Sequence, residues 1–135
     1  MIVLDCSAAV EIALGTETGL CLRTLMLNGE QAISSSLLYA EAASVYRKYV
    51  RANVMTQSEA LAALNATVRL ADCYVDVVEN HVEAFAESLR LEHSPYDLLY
   101  FTLARRNGAT LFTLDRKLLE LCEREGVDCV HVLSE

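Results

Sequence analysis

The sequence has no tryptophan, a single proline and only five glycines among its 135 residues, which excludes a linker or a low-complexity segment. It has no apolar run near the roughly 20 residues that a membrane-spanning helix needs. Its first 14 residues lack a basic stretch, and Asp5 and Glu11 interrupt what would be the apolar part of a signal peptide. We therefore expect an ordered, cytoplasmic protein with no membrane partner.

Metal-binding and nucleotide-binding motifs are also missing. The five cysteines are odd in number and form no CxxC pair, which favours buried, reduced thiols over a zinc site or disulfides. Neither GxGxxG nor GxxxxGK[ST] occurs, which argues against a nucleotide cofactor. With 53% hydrophobic residues, the chain is large enough for one core, and we expect residues 1–135 to form a single domain.

Short apolar runs alternate with helical segments along the chain. The pattern predicts strands at residues 2–4, 32–34, 74–78, 110–114 and 129–132. It predicts helices at residues 7–14, 17–27, 37–50, 56–71, 80–91, 95–107 and 115–125, and four of the five glycines follow a helix. This alternation indicates an α/β fold, a three-layer sandwich with helices on both faces of a parallel twisted sheet. Ligands of such sheets bind beyond the carboxyl ends of the strands.

Four acidic residues lie at or near those strand ends. Asp5 ends the first predicted strand, and Asp115 follows the strand at residues 110–114. Asp97 lies in the first turn of a buried helix. Glu41 lies about one turn into another helix, at the edge of its apolar stripe, where Lys48 is the one basic residue in reach.

Three of the acids also have an ordinary structural interpretation. Asp5 fits an Asx turn before Ser7, and Asp115 fits a helix N-cap. Asp97 fits the carboxylate of a capping box with Ser94. Taken together, however, carboxylates gathered at one sheet edge repel one another, and a hard divalent cation such as Mg²⁺ removes that repulsion.

The formal net charge of −8 at first argues against a nucleic-acid partner. The objection weakens if four of the acids surround a metal ion. The basic residues are clustered, and each cluster is either a solvated helix face or a contact for a phosphate backbone. The clusters are Arg47, Lys48 and Arg51; Arg105 and Arg106; and Arg116 and Lys117.

Four motifs in this order resemble the PIN domain family, in particular its VapC-type toxins. The motifs are Val-Leu-Asp5-Cys-Ser7; Ser-Ser-Leu-Leu-Tyr-Ala-Glu41; Ser-Pro-Tyr-Asp97-Leu-Leu-Tyr-Phe-Thr-Leu-Ala; and Ala-Thr-Leu-Phe-Thr113-Leu-Asp115-Arg-Lys-Leu. The resemblance extends over essentially the whole chain and includes an acid at each of the four positions.

The resemblance implies an endoribonuclease that uses one or two Mg²⁺ or Mn²⁺ ions. Asp5 and Asp97 are the expected direct ligands, Asp115 is a ligand directly or through water, and Glu41 orients or deprotonates the attacking water. Ser7 and Thr113 would support the cluster by hydrogen bonds. The resemblance further implies a homodimer and an antitoxin that places a basic side chain or a segment across the acidic pocket, which suits the negative net charge.

Two other functions stay open from the sequence. The first is a PIN-like module that binds RNA or protein without cleavage, although such a module has no reason to keep four repelling acids. The second is another phosphotransfer domain. An aspartate-nucleophile phosphatase needs a second Asp two residues after the first, where this chain has Ser7, and the acidic pair and late lysine of a receiver are not evident.

Overall fold

The computed structural model describes residues 1–26 and 29–132. Its strands are β1 (Ile2–Leu4), β2 (Ala32–Ser35), β3 (Cys73–Val75) and β4 (Thr110–Phe112). Its helices are α1 (Cys6–Leu14), α2 (Glu17–Met26), α3 (Leu37–Arg51), α4 (Gln57–Val68), α5 (His81–Leu91), α6 (Pro95–Asn107) and α7 (Arg116–Glu125). The predicted helix end at position 27 lies outside the described residues.

The four strands form one parallel sheet in the order β3-β2-β1-β4. Side chains alternate between two cores because successive strand residues point to opposite faces. Val3, Ile33 and Leu111 belong to one core, and Ile2, Leu4 and Phe112 belong to the other. The predicted α/β sandwich with helices on both faces is therefore confirmed, and β1 lies at the centre of the sheet, directly before Asp5.

Local signals for helix ends agree with the structure. Thr56 and Glu59 form the predicted capping box at the start of α4. Gly15, Gly108 and Gly126 end α1, α6 and α7 in the left-handed region, with φ between 58° and 75°. In the described ranges, no helix is long and apolar enough to cross a membrane.

The predicted strands at residues 74–78 and 110–114 are too long. β3 stops at Val75 because the Asp76 carboxylate accepts a hydrogen bond from the Val78 amide and starts a 3₁₀ turn, Val77–Glu79. β4 stops at Phe112, and the Leu114 amide donates a hydrogen bond to the Ser7 hydroxyl in the first turn of α1.

The predicted strand at residues 129–132 is wrong. The segment pairs with the sheet only through a bridge between Leu111 and Cys129. Cys129 packs against one core and Val130 and Val132 pack against the other. The alternating apolar residues of this segment therefore pack on two sides of the sheet, but the segment does not form a ladder of hydrogen bonds with it.

Candidate active site

A cavity of about 470 Å³ lies at the carboxyl end of β1, between α1, α3, α6 and the segment that follows β4. All four predicted acids line it, namely Asp5, Glu41, Asp97 and Asp115. They come from four distant parts of the chain, and the parallel strands bring them to one edge of the sheet. The structure therefore gathers these four acids around one cavity.

Asp5 is the most buried of the four acids, with 4% of its surface exposed. Its Oδ1 accepts hydrogen bonds from the Ser7 hydroxyl at 2.7 Å and the Ala8 amide at 3.0 Å, so Asp5 also caps α1. Burial raises the pKa of Asp5 to about 6, although hydrogen bonds from Ala8, Thr113 and Ser7 lower it, and the charge of Asp97 adds to the rise. Asp5 thus caps α1 and lines the cavity with the same carboxylate.

Glu41 is half-buried and lies one turn into α3. The Tyr100 hydroxyl donates a hydrogen bond to Glu41 Oε1 at 2.6 Å. Burial raises the pKa of Glu41, the bond from Tyr100 lowers it, and the charge of Asp97 raises it further. The hydrogen-bond partner of this carboxylate is therefore a tyrosine, where the sequence had offered only Lys48 as a basic candidate.

Asp97 lies in the first turn of α6, and its Oδ2 is 2.9 Å from His93 Nε2. The Ser94 hydroxyl accepts a hydrogen bond from the Tyr96 amide at 3.2 Å. No capping-box contact between Ser94 and Asp97 is found in the described part of the chain, so that structural interpretation of Asp97 is wrong. His93 instead holds one carboxylate oxygen.

Asp115 caps α7, because its Oδ1 accepts a hydrogen bond from the Leu118 amide at 3.0 Å. The N-cap interpretation is confirmed, and the same residue lines the cavity. The Thr113 hydroxyl accepts from the Asp115 amide at 3.1 Å, and the Ser7 hydroxyl accepts from the Leu114 amide at 2.9 Å. Ser7 and Thr113 therefore tie the turn after β4 to the start of α1.

Basic side chains are scarce around these acids. Among the described residues, Lys48 is the only basic side chain that lines the cavity. Arg116 and Lys117 are exposed in the first turn of α7, and Arg51 is exposed at the end of α3. Arg47 lies on another side of α3, where it lines an apolar groove against α4. The predicted basic residues thus differ in their distance from the cavity.

Arg105 and Arg106 are engaged within the chain. Both pair with Glu83, at 2.7 Å and 2.5 Å, and Arg105 also pairs with Glu87 at 2.7 Å. This cluster therefore matches the solvated helix face, one of the two interpretations that the sequence left open.

The donor set of the cavity fits a hard divalent cation held partly through water. Carboxylate oxygens are the ligands that Mg²⁺ prefers, and burial together with the charge of Asp97 raises the pKa of both Asp5 and Glu41. Across residues 1–26 and 29–132, no three His, Cys, Asp or Glu side chains lie close enough to hold an ion directly. Because Mg²⁺ keeps several waters and takes only one or two carboxylates, this arrangement still suits it.

The sequence did not identify two residues of this site, Tyr100 and His93. Tyr100 follows Asp97 by three residues, and His93 precedes it by four. A separation of three brings two side chains to the same side of a helix, so this spacing could have found Tyr100, whereas His93 precedes α6 and no helical spacing identifies it.

Comparisons with known proteins agree with this architecture. The family described as PIN domain matches residues 2–124. Among solved structures, PAE2754 from Pyrobaculum aerophilum is similar, with a TM-score of 0.70, 21% sequence identity, and coverage of 88% of this chain and 84% of that chain. At this identity the likeness concerns the fold alone. No curated protein matches the chain at a significant level.

Proposed function

Because the chain belongs to the PIN domain family, whose members are generally nucleases, we propose that it is a Mg²⁺-dependent endoribonuclease that acts on cytoplasmic RNA. The observation that carries this proposal is the cavity that four carboxylates line together with a single lysine, counted over the described residues. Four acids around one cavity are costly for a fold unless a cation balances them.

The proposal gives the four acids different roles. Asp5 and Asp97 bind the cation directly, and Asp115 binds it directly or through water. A bound Mg²⁺, or Mn²⁺ in its place, supplies positive charge that offsets the charge developing on the phosphate oxygens. Glu41 orients the attacking water and accepts its proton, a role that suits a carboxylate whose pKa is raised by burial.

The supporting residues keep the acids in position. Ser7 holds Asp5 through the bond of 2.7 Å to Oδ1, and Thr113 holds the backbone before Asp115. His93 holds one oxygen of Asp97. Such partners of ligand side chains fix the orientation of the carboxylates.

The RNA backbone would approach over the basic residues at the cavity rim. Lys48 lines the cavity, and Arg116 and Lys117 follow Asp115 directly, so these three are the stronger candidates for phosphate contacts. Arg51 and Arg47 are exposed on α3, and Arg47 faces the groove shared with α4, so both contact RNA only beyond the cavity.

The proposal includes the toxin role in a toxin–antitoxin pair. An acidic cavity in a chain of net charge −8 suits an antitoxin that inserts a basic side chain or segment. Co-purification with the protein encoded beside this one tests this role. A tight, small, partly basic companion that blocks cleavage is expected, and a neighbour that neither binds nor inhibits would contradict it.

A homodimer is also part of the proposal, and α5 offers the surface for it. Val78, Val82, Phe85 and Leu89 are spaced by four, three and four residues, and each is 60% to 67% exposed. Val82, Phe85 and Leu89 lie in α5, where their spacing is that of a helix–helix seam, and Val78 lies in the 3₁₀ turn before α5. The acids beside it pair with arginines of the same chain, so this neutral face suits a second copy of an otherwise acidic protein.

A cleavage assay tests the central proposal. A mixed RNA substrate is incubated with the purified protein in Mg²⁺ or Mn²⁺, with and without EDTA, beside Asp5→Asn as the inactive control. Cleavage that needs the metal and Asp5 is expected. Equal cleavage by the wild type and Asp5→Asn would point to a contaminating nuclease.

The second candidate is a member that binds RNA without cutting it. The lack of three converged metal ligands among the described residues favours this candidate. The same assay separates the two, because RNA binding without cleavage in either metal would support the second.

A further inference from the structure

We propose that Tyr100 is a positioning residue that holds the Glu41 carboxylate in the orientation needed to accept a proton from the attacking water. This inference rests on the proposed nuclease function. It concerns a contact between two helices, α3 and α6, which the chain brings together across 59 positions.

The contact is short and comes from a fixed side chain. The Tyr100 hydroxyl donates to Glu41 Oε1 at 2.6 Å, the length of a strong bond to a charged acceptor. Tyr100 is 1% exposed and packs in the core with Leu99 and Leu103, whereas its hydroxyl end reaches the cavity. A buried ring has few alternative rotamers, so the hydroxyl fixes the position of the carboxylate it touches.

The bond also leaves Glu41 able to work as a base. In the part of the chain that the structure describes, Glu41 Oε2 has no hydrogen-bond partner, so one oxygen is held while the other stays available. Burial and the neighbouring Glu41 raise the pKa of Tyr100, so its hydroxyl stays protonated and acts as a donor. A donor at this place favours the ionised form of Glu41.

The chain contains a matched tyrosine outside the cavity. The Tyr46 hydroxyl bonds the Thr67 hydroxyl at 2.7 Å, and Tyr46 is 2% exposed. Tyr46 does not line the cavity. Tyr46→Phe therefore removes a buried hydroxyl of the same kind without touching Glu41, and it separates a positioning role from a general loss of stability.

The experiment compares the wild type, Tyr100→Phe and Tyr46→Phe in Mg²⁺-dependent cleavage of one defined RNA. Tyr100→Phe is expected to lower kcat about tenfold or more, with KM within about twofold of the wild type. RNA binding measured in EDTA stays within about twofold for both variants. Tyr46→Phe keeps kcat, although both variants lower the melting temperature by a similar amount.

A double-mutant cycle tests whether Tyr100 acts through Glu41. In the Glu41→Gln background, Tyr100→Phe is expected to cause no further fall in kcat, because the base it positions is already lost. A purely structural tyrosine would lower kcat by the same factor in both backgrounds.

The two proposals fail in different ways. If the wild type does not cleave RNA in Mg²⁺ or Mn²⁺, the nuclease proposal is overturned together with the role of Tyr100. If the wild type cleaves RNA while Tyr100→Phe has the same kcat as Tyr46→Phe, only the role of Tyr100 is overturned. The same holds if Tyr100→Phe lowers kcat by the same factor in the wild type and in Glu41→Gln.

Discussion

Two groups of acids in this protein have opposite surroundings. On the surface formed by α5 and α6, hydrogen bonds from Arg90 and Arg105 lower the pKa of Glu87 to about 2. Burial opposes the fall in the pKa of Glu83, but hydrogen bonds from its arginine partners outweigh burial and lower that pKa. In the cavity, burial raises the pKa of Asp5 to about 6 and also raises that of Glu41.

The difference lies in where the balancing charge comes from. The surface acids have arginines of the same chain beside them. The cavity acids are held mainly by hydroxyls and backbone amides, with one histidine, and Lys48 is the single basic side chain lining the cavity in the described residues. Arginines of the same chain thus balance the surface acids, whereas under the proposed function a cation from solution balances the cavity acids.

The largest expected effect is on catalysis. Glu41→Gln should lower kcat about 10²- to 10⁴-fold, because it removes the proposed base while keeping the shape of the side chain. Glu83→Gln makes the same chemical change in the surface group and should leave kcat within about twofold. Steady-state cleavage of one RNA measures kcat for both variants. Equal losses of kcat would mean that the cavity acids and the surface acids do not differ in their role in catalysis.

The second effect is on the pH dependence of stability. The pKa of Asp5 rises from an ordinary 3.8 to about 6 on folding, so the folded state holds its proton more tightly. Stability from this group is present below pH 3.8 and is lost as the pH rises through 6, by about 3 kcal/mol in all. Asp5→Asn should remove this loss.

Urea unfolding of both proteins at several values from pH 4 to pH 7, in EDTA, measures that difference. The wild type should lose stability relative to Asp5→Asn across this range. If the difference in the free energy of unfolding between the two proteins stays constant with pH, folding does not raise the pKa of Asp5.

The third effect concerns the orientation of a proposed ligand. His93→Ala removes the partner of Asp97 Oδ2 and should weaken Mn²⁺ binding about tenfold. His81 is exposed at the start of α5, so His81→Ala is the matched control and should leave the affinity unchanged. Calorimetric titration measures both, and unchanged binding in His93→Ala would remove His93 from the site.

The smallest effect belongs to the surface group. Glu87→Gln breaks its pairs with Arg90 and Arg105 and should lower the free energy of unfolding by about 1 kcal/mol at neutral pH. Because folding lowers the pKa of Glu87, its contribution is present above pH 4.5 and is lost as the pH falls through 2, opposite in sign to Asp5. Cleavage should not change. A loss of cleavage would link this surface to the site.

Much of the fold follows from local sequence signals. Apolar runs gave the strands β1, β2 and β4, and caps such as Thr56 and glycines such as Gly126 gave the helix ends. Strand length was less predictable, because β3 ends where the Asp76 side chain starts a turn. The Cys129 segment shows that alternation alone does not ensure strand pairing.

The sequence predicted the four acids that line the cavity and the supporting hydroxyls of Ser7 and Thr113, but not Tyr100 or His93. The position of Asp5 at a strand end and of Glu41 near the start of a helix follows from the order of the elements. The partners did not follow from it, because Tyr100 reaches Glu41 from a helix 59 positions away. Asn80 is similar: it is the N-cap residue of α5, and its side chain donates hydrogen bonds to the Leu99 carbonyl and the Thr102 hydroxyl in α6.

Calorimetric titration of Mn²⁺ into the metal-free protein tests the need for a cation most directly. Saturable Mn²⁺ binding is expected in the wild type and in Glu87→Gln, with a large loss of affinity in Asp5→Asn and Asp97→Asn and a smaller loss in Glu41→Gln. Equal losses in all the cavity variants would remove the division of roles among the acids. A wild type that binds no Mn²⁺, or whose affinity for Mn²⁺ is no higher than that of Asp5→Asn, would show that the cavity is not a cation site.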